Sequence, residues 1–185
     1  MTTFTIHSAA QAPVQAQPLL AAVQAKYSFV PNLFGALAEA PATLGAYIEL
    51  GASLEKSSLT AAEQQLVLIA TSVENHCAYC VAAHSVVAKQ MLKVEASIVD
   101  ALRNKTQIAD AKLQALAVFT RAVVVNRGAV TGKQLDDFLG AGYSKRQVLE
   151  VILGVTMKTL SNYANNLMET KLDDAFSSEA WHQNS

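Results

Sequence analysis

The chain has 185 residues and a mass of 19.7 kDa, enough for one compact domain with a buried core and too few residues to require two. Apolar residues make up 51% of it and charged residues 16%, a balance that excludes an intrinsically disordered chain. The formal net charge is -1 and no basic block interrupts the sequence, so the charge gives no basis for binding nucleic acid or an anionic membrane.

Alanine and leucine dominate, period-two alternation is nearly absent, and Gly and Pro fall between long segments. This pattern predicts an all-α fold in a single domain over 1–185. Residues 1–17 read as an N-terminal extension and 172–185 as a C-terminal tail. The first residues, Met1-Thr2-Thr3-Phe4-Thr5-Ile6-His7, lack the basic stretch and apolar core of a secretory signal. No apolar run reaches the roughly 20 residues of a membrane helix, and Arg121 interrupts the best one, 113–125. These features predict a cytoplasmic protein. The high apolar fraction also predicts a subunit interface.

Pro18 opens a first helix to about Lys26. The turn Val30-Pro31-Asn32 leads into a short helix, 33–38, which Pro41 ends. A helix over 42–56 places Leu44, Tyr47, Ile48 and Leu54 along one side. Thr60-Ala61-Ala62-Glu63 is a capping box, in which Thr60 covers an orphan N–H and Glu63 reaches back. Its helix continues through Leu66, Ile69, Ala70 and Val73. After a break at Asn75-His76, the next helix carries Cys77, Cys80 and His84 to about Met91. Helices follow over 94–103 and 110–125, with Thr131 and Ser144 as further N-caps. The last helix, 145–168, is so apolar between Val148 and Val155 that burial on several sides, in the core or against a neighbouring subunit, is expected.

Cys77 and Cys80 are the only cysteines of the chain and stand in one short run with His84. In a reducing compartment such a pair serves catalysis or metal binding rather than stapling, and the spacing lets the sulfurs close into a disulfide. Cys77 is expected at the N-cap and Cys80 three positions in. There, unpaired N–H groups and the positive end of the helix dipole stabilise a thiolate, and the sulfurs should open to a solvent channel. His84, four residues after Cys80, lies on the same helical face and is placed to take or return a proton. Tyr79, between the cysteines, is expected to line the pocket. Two other readings share the motif. One is a zinc site of Cys77, Cys80, His84 and His76, although His76 adjoins Cys77 and completes a tetrahedron poorly with it. The other is an inert pair of buried thiols.

Together these residues resemble the carboxymuconolactone decarboxylase-like superfamily, in particular its alkylhydroperoxidase D-like branch. The resemblance covers most of the chain. It rests on the capped helix followed by C-x-Y-C-x-x-x-H between Leu59 and His84. Softer matches are the opening segment Tyr27-Ser28-Phe29-Val30-Pro31-Asn32-Leu33, the polar Leu160-Ser161-Asn162-Tyr163 and the tail pair Leu172-Asp173. It implies an all-helical protomer that assembles as a trimer or hexamer, with a thiol peroxidase-like site that uses no metal and no organic cofactor. It further implies that Cys80 attacks the peroxide and becomes a sulfenic acid, that Cys77 resolves it to a disulfide, and that a thiol or redox-protein donor reduces the pair. Spacing alone favours Cys77 as nucleophile, because it lies nearer the helix start. The one-turn pairing of Cys80 with His84 is the physical ground for the order the resemblance implies. One position departs: where relatives carry a relay glutamate this chain has Gln65, which hydrogen-bonds but cannot act as a base. Glu74, three residues before Cys77, and Glu63, already engaged in its cap, are the nearby carboxylates from which a relay could draw.

The function expected is therefore reduction of small hydroperoxides by a homo-oligomeric, thiol-dependent oxidoreductase. Two alternatives stay open: lactone decarboxylation, which has no need of a dithiol, and a non-enzymatic redox sensor or assembly module, which Gln65 keeps in play. Elsewhere, Glu150 in its apolar run is expected to partner a basic residue at an interface or helix end. Asn162, Asn165 and Asn166 are expected to satisfy polar groups where the last helix meets a neighbour. His7 and His182 are expected to be exposed, and Trp181 to pin the tail.

Overall fold

The computed structural model describes residues 4–182, so the ends of the expected extension and tail, 1–3 and 183–185, fall outside the described residues. Among the described residues every regular element is helical, in one domain, as the sequence pattern predicts. Prolines and polar caps set the helix starts. Pro18 stands in the first turn of α1 (Gln17–Tyr27), where the N–H it lacks would have no helical acceptor. Pro31 precedes α2 (Asn32–Leu37), and Pro41 is the first residue of α3 (Pro41–Glu55).

The capping box of α4 (Ala61–Glu74) is complete: Thr60 Oγ1 accepts from the Glu63 N–H at 3.2 Å, and the Glu63 carboxylate accepts from the Thr60 N–H at 2.8 Å. The cysteine helix differs from its expected form. It is α-helical as α5 (Ala78–Val86) and then widens into a π-helical turn, Val87–Met91, closed by Leu92 N–H donating to the Val87 carbonyl. The chain continues as α6 (Ala96–Arg103), α7 (Ala111–Val125), α8 (Gly132–Gly140) and α9 (Lys145–Met168), then a 3-10 turn, Asp174–Glu179. Thr131 and Ser144 both form capping boxes at the starts of α8 and α9.

Helix α4 divides the core. On one side Leu66, Ile69 and Val73 pack with Leu102, Leu116, Phe119 and Phe138 of α6, α7 and α8. On the other side Leu20, Leu33, Leu37, Leu44 and Tyr47 of α1 to α3 enclose Tyr79 and both cysteines. Helix α9 closes the molecule with one buried stripe, Val151, Gly154, Lys158, Ser161, Asn162 and Asn165. A Cβ at position 154 would stand 2.7 Å from Val67 Cγ1, so Gly154 lets α9 lie close against α4 and seats Lys158 one turn further on. The opposite side of α9 is not covered within the protomer. Leu149 is 68% exposed and Leu167 75%, with Ile152 and Tyr163 also exposed.

The tail straps the cysteine helix. Asp173 accepts from the Tyr79 hydroxyl and the Asn32 N–H, while Glu179 pairs with Lys89 and Arg103. Trp181 packs against the core, as expected, and His182 is exposed. His7 is a correction. It is partly buried, its Nε2 lies 2.7 Å from Glu39 Oε2, and its N–H donates to the Gly35 carbonyl, because the N-terminal segment folds across α2. No helix among the described residues is long and apolar enough to cross a membrane.

Candidate active site

The break before the cysteines is a Schellman turn. At the end of α4 the His76 N–H donates to the Val73 carbonyl and the Cys77 N–H to the Ser72 carbonyl, with His76 in the left-handed region at φ 54°. This turn carries the chain directly from α4 into α5 and makes Cys77 the N-cap, with Cys80 three residues on, as the sequence predicts. Cys77 makes no side-chain capping hydrogen bond. A backbone N–H of the helix mouth, that of Cys80, does act on the Cys77 sulfur, the source expected from the sequence, but it is outweighed there by the Cys80 thiol and burial. A side chain of α9 supplies a further contact: Asn165 Nδ2 stands 3.2 Å from Cys80 Sγ and 3.9 Å from Cys77 Sγ. Ser161 Oγ lies 3.9 Å from Cys80 Sγ. Both thiols are free.

Neither sulfur opens to solvent: Cys77 is 0% and Cys80 1% exposed. Among the described residues α1 to α3, α9 and the tail strap cover the start of α5, so the sulfurs are enclosed where the sequence led to an open channel. His84 and Gln65 are partly exposed.

His84 and Cys80 do share a face of α5, but His84 makes its side-chain hydrogen bonds elsewhere. Its Nδ1 lies 2.9 Å from Gln65 Oε1 and its Nε2 lies 3.0 Å from Lys158 Nζ. The lysine can only donate, so Nε2 accepts and Nδ1 carries the proton that goes to Gln65. Lys158 is buried, 1% exposed, on the same buried stripe of α9 as Ser161 and Asn165, and its Nζ lies 6.0 Å from the centre of the Tyr47 ring.

The charges of these groups are interdependent. Burial alone would push the Cys80 thiol up, but the Cys77 thiol, the Lys158 ammonium and the Asn165 amide outweigh it and hold Cys80 well below the ordinary thiol value. Cys77 moves the other way, pushed up by its hydrogen bond to Cys80 and by burial. Burial would lower Lys158, yet the charge on Cys80 raises it. Burial and the adjacent ammonium push His84 well below its usual value, which keeps the imidazole neutral. These shifts favour the thiolate at the inner sulfur over the outer one and the charged form of the buried lysine.

The remaining candidates from the sequence divide. Gln65 reaches His84. Glu74 does not face the thiols: it pairs with Lys105 at 2.9 Å and Arg121 at 3.7 Å, because the turn at His76 reverses the chain behind it. Glu63 is held by its cap, by the Tyr143 hydroxyl and by Lys112. Tyr79 packs its ring edge-on against Phe176 and gives its hydroxyl to Asp173, so its polar end serves the tail strap. Glu150 accepts from Ser58 and pairs with Arg146, as expected of a helix-end partner. Asn162 donates to Ser72 and accepts from Asn75, and Asn166 donates to the Asn75 carbonyl, so α9 meets α4 and its C-cap there. His76 is exposed in the turn, and among the described residues no group of three His, Cys, Asp or Glu side chains is placed to hold a metal ion. Lys158 was not anticipated, Ser161 entered only as part of a polar stretch of the last helix, and Asn165 only as a residue that satisfies polar groups there. Counting helical turns from Val151 puts all three on the buried stripe, the one signal that could have found them.

An all-helical fold surrounds a dithiol at the start of an inner helix, and both the fold and part of the sequence are similar to those of known proteins. Residues 38–121, which include α4, the cysteine pair and His84, match the model of the carboxymuconolactone decarboxylase family, and the resemblance read from the sequence is borne out. A search of curated proteins found no match. In fold the chain is similar to an alkylhydroperoxidase AhpD core, an uncharacterised peroxidase-related protein from Ralstonia eutropha JMP134. That match has 24% identity and a TM-score of 0.82 and covers 94% of this chain and 93% of that chain. A peroxidase-related protein from Silicibacter sp. TM1040 matches at 18% identity and a TM-score of 0.79, over 91% and 90% of the two chains. The debrominase Bmp8, solved in complex with 2,3,4-tribromopyrrole, matches at 17% identity and a TM-score of 0.80, over 97% and 96%. At these identities the likeness establishes the fold.

Proposed function

We propose that the protein is a thiol-dependent oxidoreductase that reduces small hydroperoxides through Cys77 and Cys80, without a metal or organic cofactor. The observation that carries this reading is the asymmetry of the pair: Cys80 Sγ stands 3.2 Å from the Asn165 amide in surroundings that favour the thiolate, while those of Cys77 favour the thiol. Thiolate Cys80 attacks the O–O bond and becomes the sulfenic acid. Cys77 then displaces water to form the disulfide, and an external thiol or redox protein restores both thiols.

Burial of both sulfurs limits the oxidant to one small enough to pass the covering side chains. The Oδ1 of Asn165 is buried and has no partner among the described residues, which leaves an acceptor beside the sulfurs for the O–H of a hydroperoxide. We place the protein in the cytoplasm, where a thiol pool keeps the pair reduced. We also assign the exposed apolar side of α9 to a homo-oligomer interface.

The test is peroxide consumption with a thiol donor. Cys80→Ser abolishes it, Cys77→Ser leaves a sulfenic acid trappable by dimedone, and hydrogen peroxide reacts faster than a bulky aryl hydroperoxide relative to free thiol. Full activity in Cys80→Ser contradicts the reading. The same burial favours a second reading, a redox sensor in which disulfide formation strains the Asp173–Tyr79 strap. A peroxide rate no faster than free thiol, with an oxidation-dependent change in partner binding or assembly, would select it.

A further inference from the structure

This inference rests on the thiol-oxidoreductase reading and assigns its proton chemistry. We infer that Lys158, and not His84, is the counter-ion and catalytic acid of Cys80, with His84 and Gln65 as positioning residues that aim it. The argument starts from burial. A lysine 1% exposed needs an anionic partner, and among the described residues Lys158 forms no ion pair with a carboxylate. Its Nζ lies 3.0 Å from His84 Nε2, one turn beyond Cys80, and over the Tyr47 ring. Ser161 and Asn165 on the same buried stripe stand 3.9 and 3.2 Å from the Cys80 sulfur, which is the acidic group this stripe faces. The cation and the thiolate therefore stabilise one another.

The same geometry removes His84 from the role its spacing suggests. Its Nε2 accepts from the ammonium, and protonating that nitrogen would set two cations 3.0 Å apart. Its Nδ1–H is fixed on Gln65 Oε1. A glutamate at position 65 would favour an imidazolium and draw the ammonium away from the sulfur. A glutamine accepts the Nδ1–H and does neither. The departure at Gln65 and the buried lysine are thus complementary parts of one arrangement, in which the relay ends on an ammonium.

The step balances as follows. The Cys80 thiolate forms an S–O bond with the distal oxygen of ROOH as the O–O bond breaks. The leaving RO⁻ takes a proton from the Lys158 ammonium, giving sulfenic acid, ROH and neutral amine. Cys77 S–H then attacks the sulfenic sulfur, forming S–S and releasing water. When the thiol donor reduces the disulfide, the Cys80 proton passes to the Lys158 amine and restores the ion pair.

The experiment is a titration of thiolate absorbance near 240 nm in reduced Cys77→Ser protein, alone and combined with Lys158→Met, a neutral side chain of similar length, or Lys158→Arg. Cys80 is expected to ionise well below the ordinary thiol value of about 8.5. Lys158→Met is expected to raise it by about 2 units or more, and Lys158→Arg to keep it low. A Cys80 titration near 8.5 in the Lys158-bearing protein, or one unmoved by Lys158→Met, overturns the inference. If Lys158→Met does not fold, the Lys158-bearing and Lys158→Arg titrations decide alone.

The acid role is read separately in single-turnover peroxide reactions at a pH where Cys80 is fully ionised in every variant. There Lys158→Met remains at least about tenfold slow, and recovery of the full rate overturns that role. Failure of the function reading looks different: a lysine-dependent thiolate with no peroxide consumption leaves the ion pair standing and removes the peroxidase. Normal consumption with a lysine-independent thiolate removes only the present inference.

Discussion

The Asn165 amide nitrogen stands 3.2 Å from the Cys80 sulfur, a contact between residues 85 positions apart in the chain. It ties the last helix to the chemistry of the cysteine helix and makes the thiolate sensitive to the charge at position 165. Asn165→Asp keeps the shape but sets a carboxylate against the sulfur, and like charges disfavour the ionised form. Its peroxide reaction at pH 7, followed by stopped flow, is expected to slow by at least about tenfold. Asn165→Ala, which removes one hydrogen bond to a charged group, is expected to slow it about tenfold or less. Equal rates in Asn165→Asp and the parent protein would detach this amide from the thiolate.

His84 makes stability depend on pH with a definite sign. Its folded pKa lies well below 6.5, so at neutral pH neither the folded nor the unfolded state carries the proton. As pH falls through 6.5, the unfolded state takes up a proton that the folded state refuses. Stability then drops by about 1.4 kcal/mol per pH unit from this one group. Urea unfolding between pH 6.5 and 5, above the ordinary carboxylate range, reads the slope. His84→Asn is expected to lose that part of it, and a parent protein with flat stability over this window would show that His84 is not held neutral.

Glu74 stands three residues before Cys77, yet its carboxylate belongs to Lys105 and Arg121. Glu74→Gln is therefore expected to leave the peroxide rate within about twofold. It strands a largely buried Arg121 side chain and lowers stability by about 1–3 kcal/mol in urea. A large loss of rate with unchanged stability would return Glu74 to the relay.

Leu149, Ile152, Tyr163 and Leu167 form an exposed line down α9. If this line is the homo-oligomer interface, Ile152→Asp together with Leu167→Lys reduces the mass measured by light scattering while the helical circular dichroism is retained. An unchanged mass would place the interface on another face.

What was legible in the sequence was whatever local chemistry decides. The caps at Thr60, Thr131 and Ser144 are satisfied by atoms three residues away, so their spacing suffices to find them. The placement of Cys77 at the N-cap of α5 follows from the same kind of information. The surroundings of the sulfurs do not, because they come from α9, more than eighty residues further on. The sequence brings Cys80 and His84 onto one face, but cannot say that Lys158 takes up His84 Nε2. Glu74 was misplaced for a related reason: proximity along the chain says nothing about direction once a left-handed residue, His76, reverses the path. Lys158 was obscured by its surroundings. A lysine in a long helix reads as solvated until the 151–154–158–161–165 stripe is followed turn by turn.

The central claim is that Cys77 and Cys80 act as one redox couple, with the inner sulfur attacking first. Reduced protein treated with one equivalent of hydrogen peroxide, with free thiols counted and peptides mapped by mass spectrometry, tests it most directly. The account predicts loss of both thiols and a single 77–80 disulfide, with dimedone labelling confined to Cys80 once Cys77 is replaced by serine. Two free thiols remaining after exposure, or dimedone found on Cys77 when Cys80 is the residue replaced and none on Cys80, would contradict it.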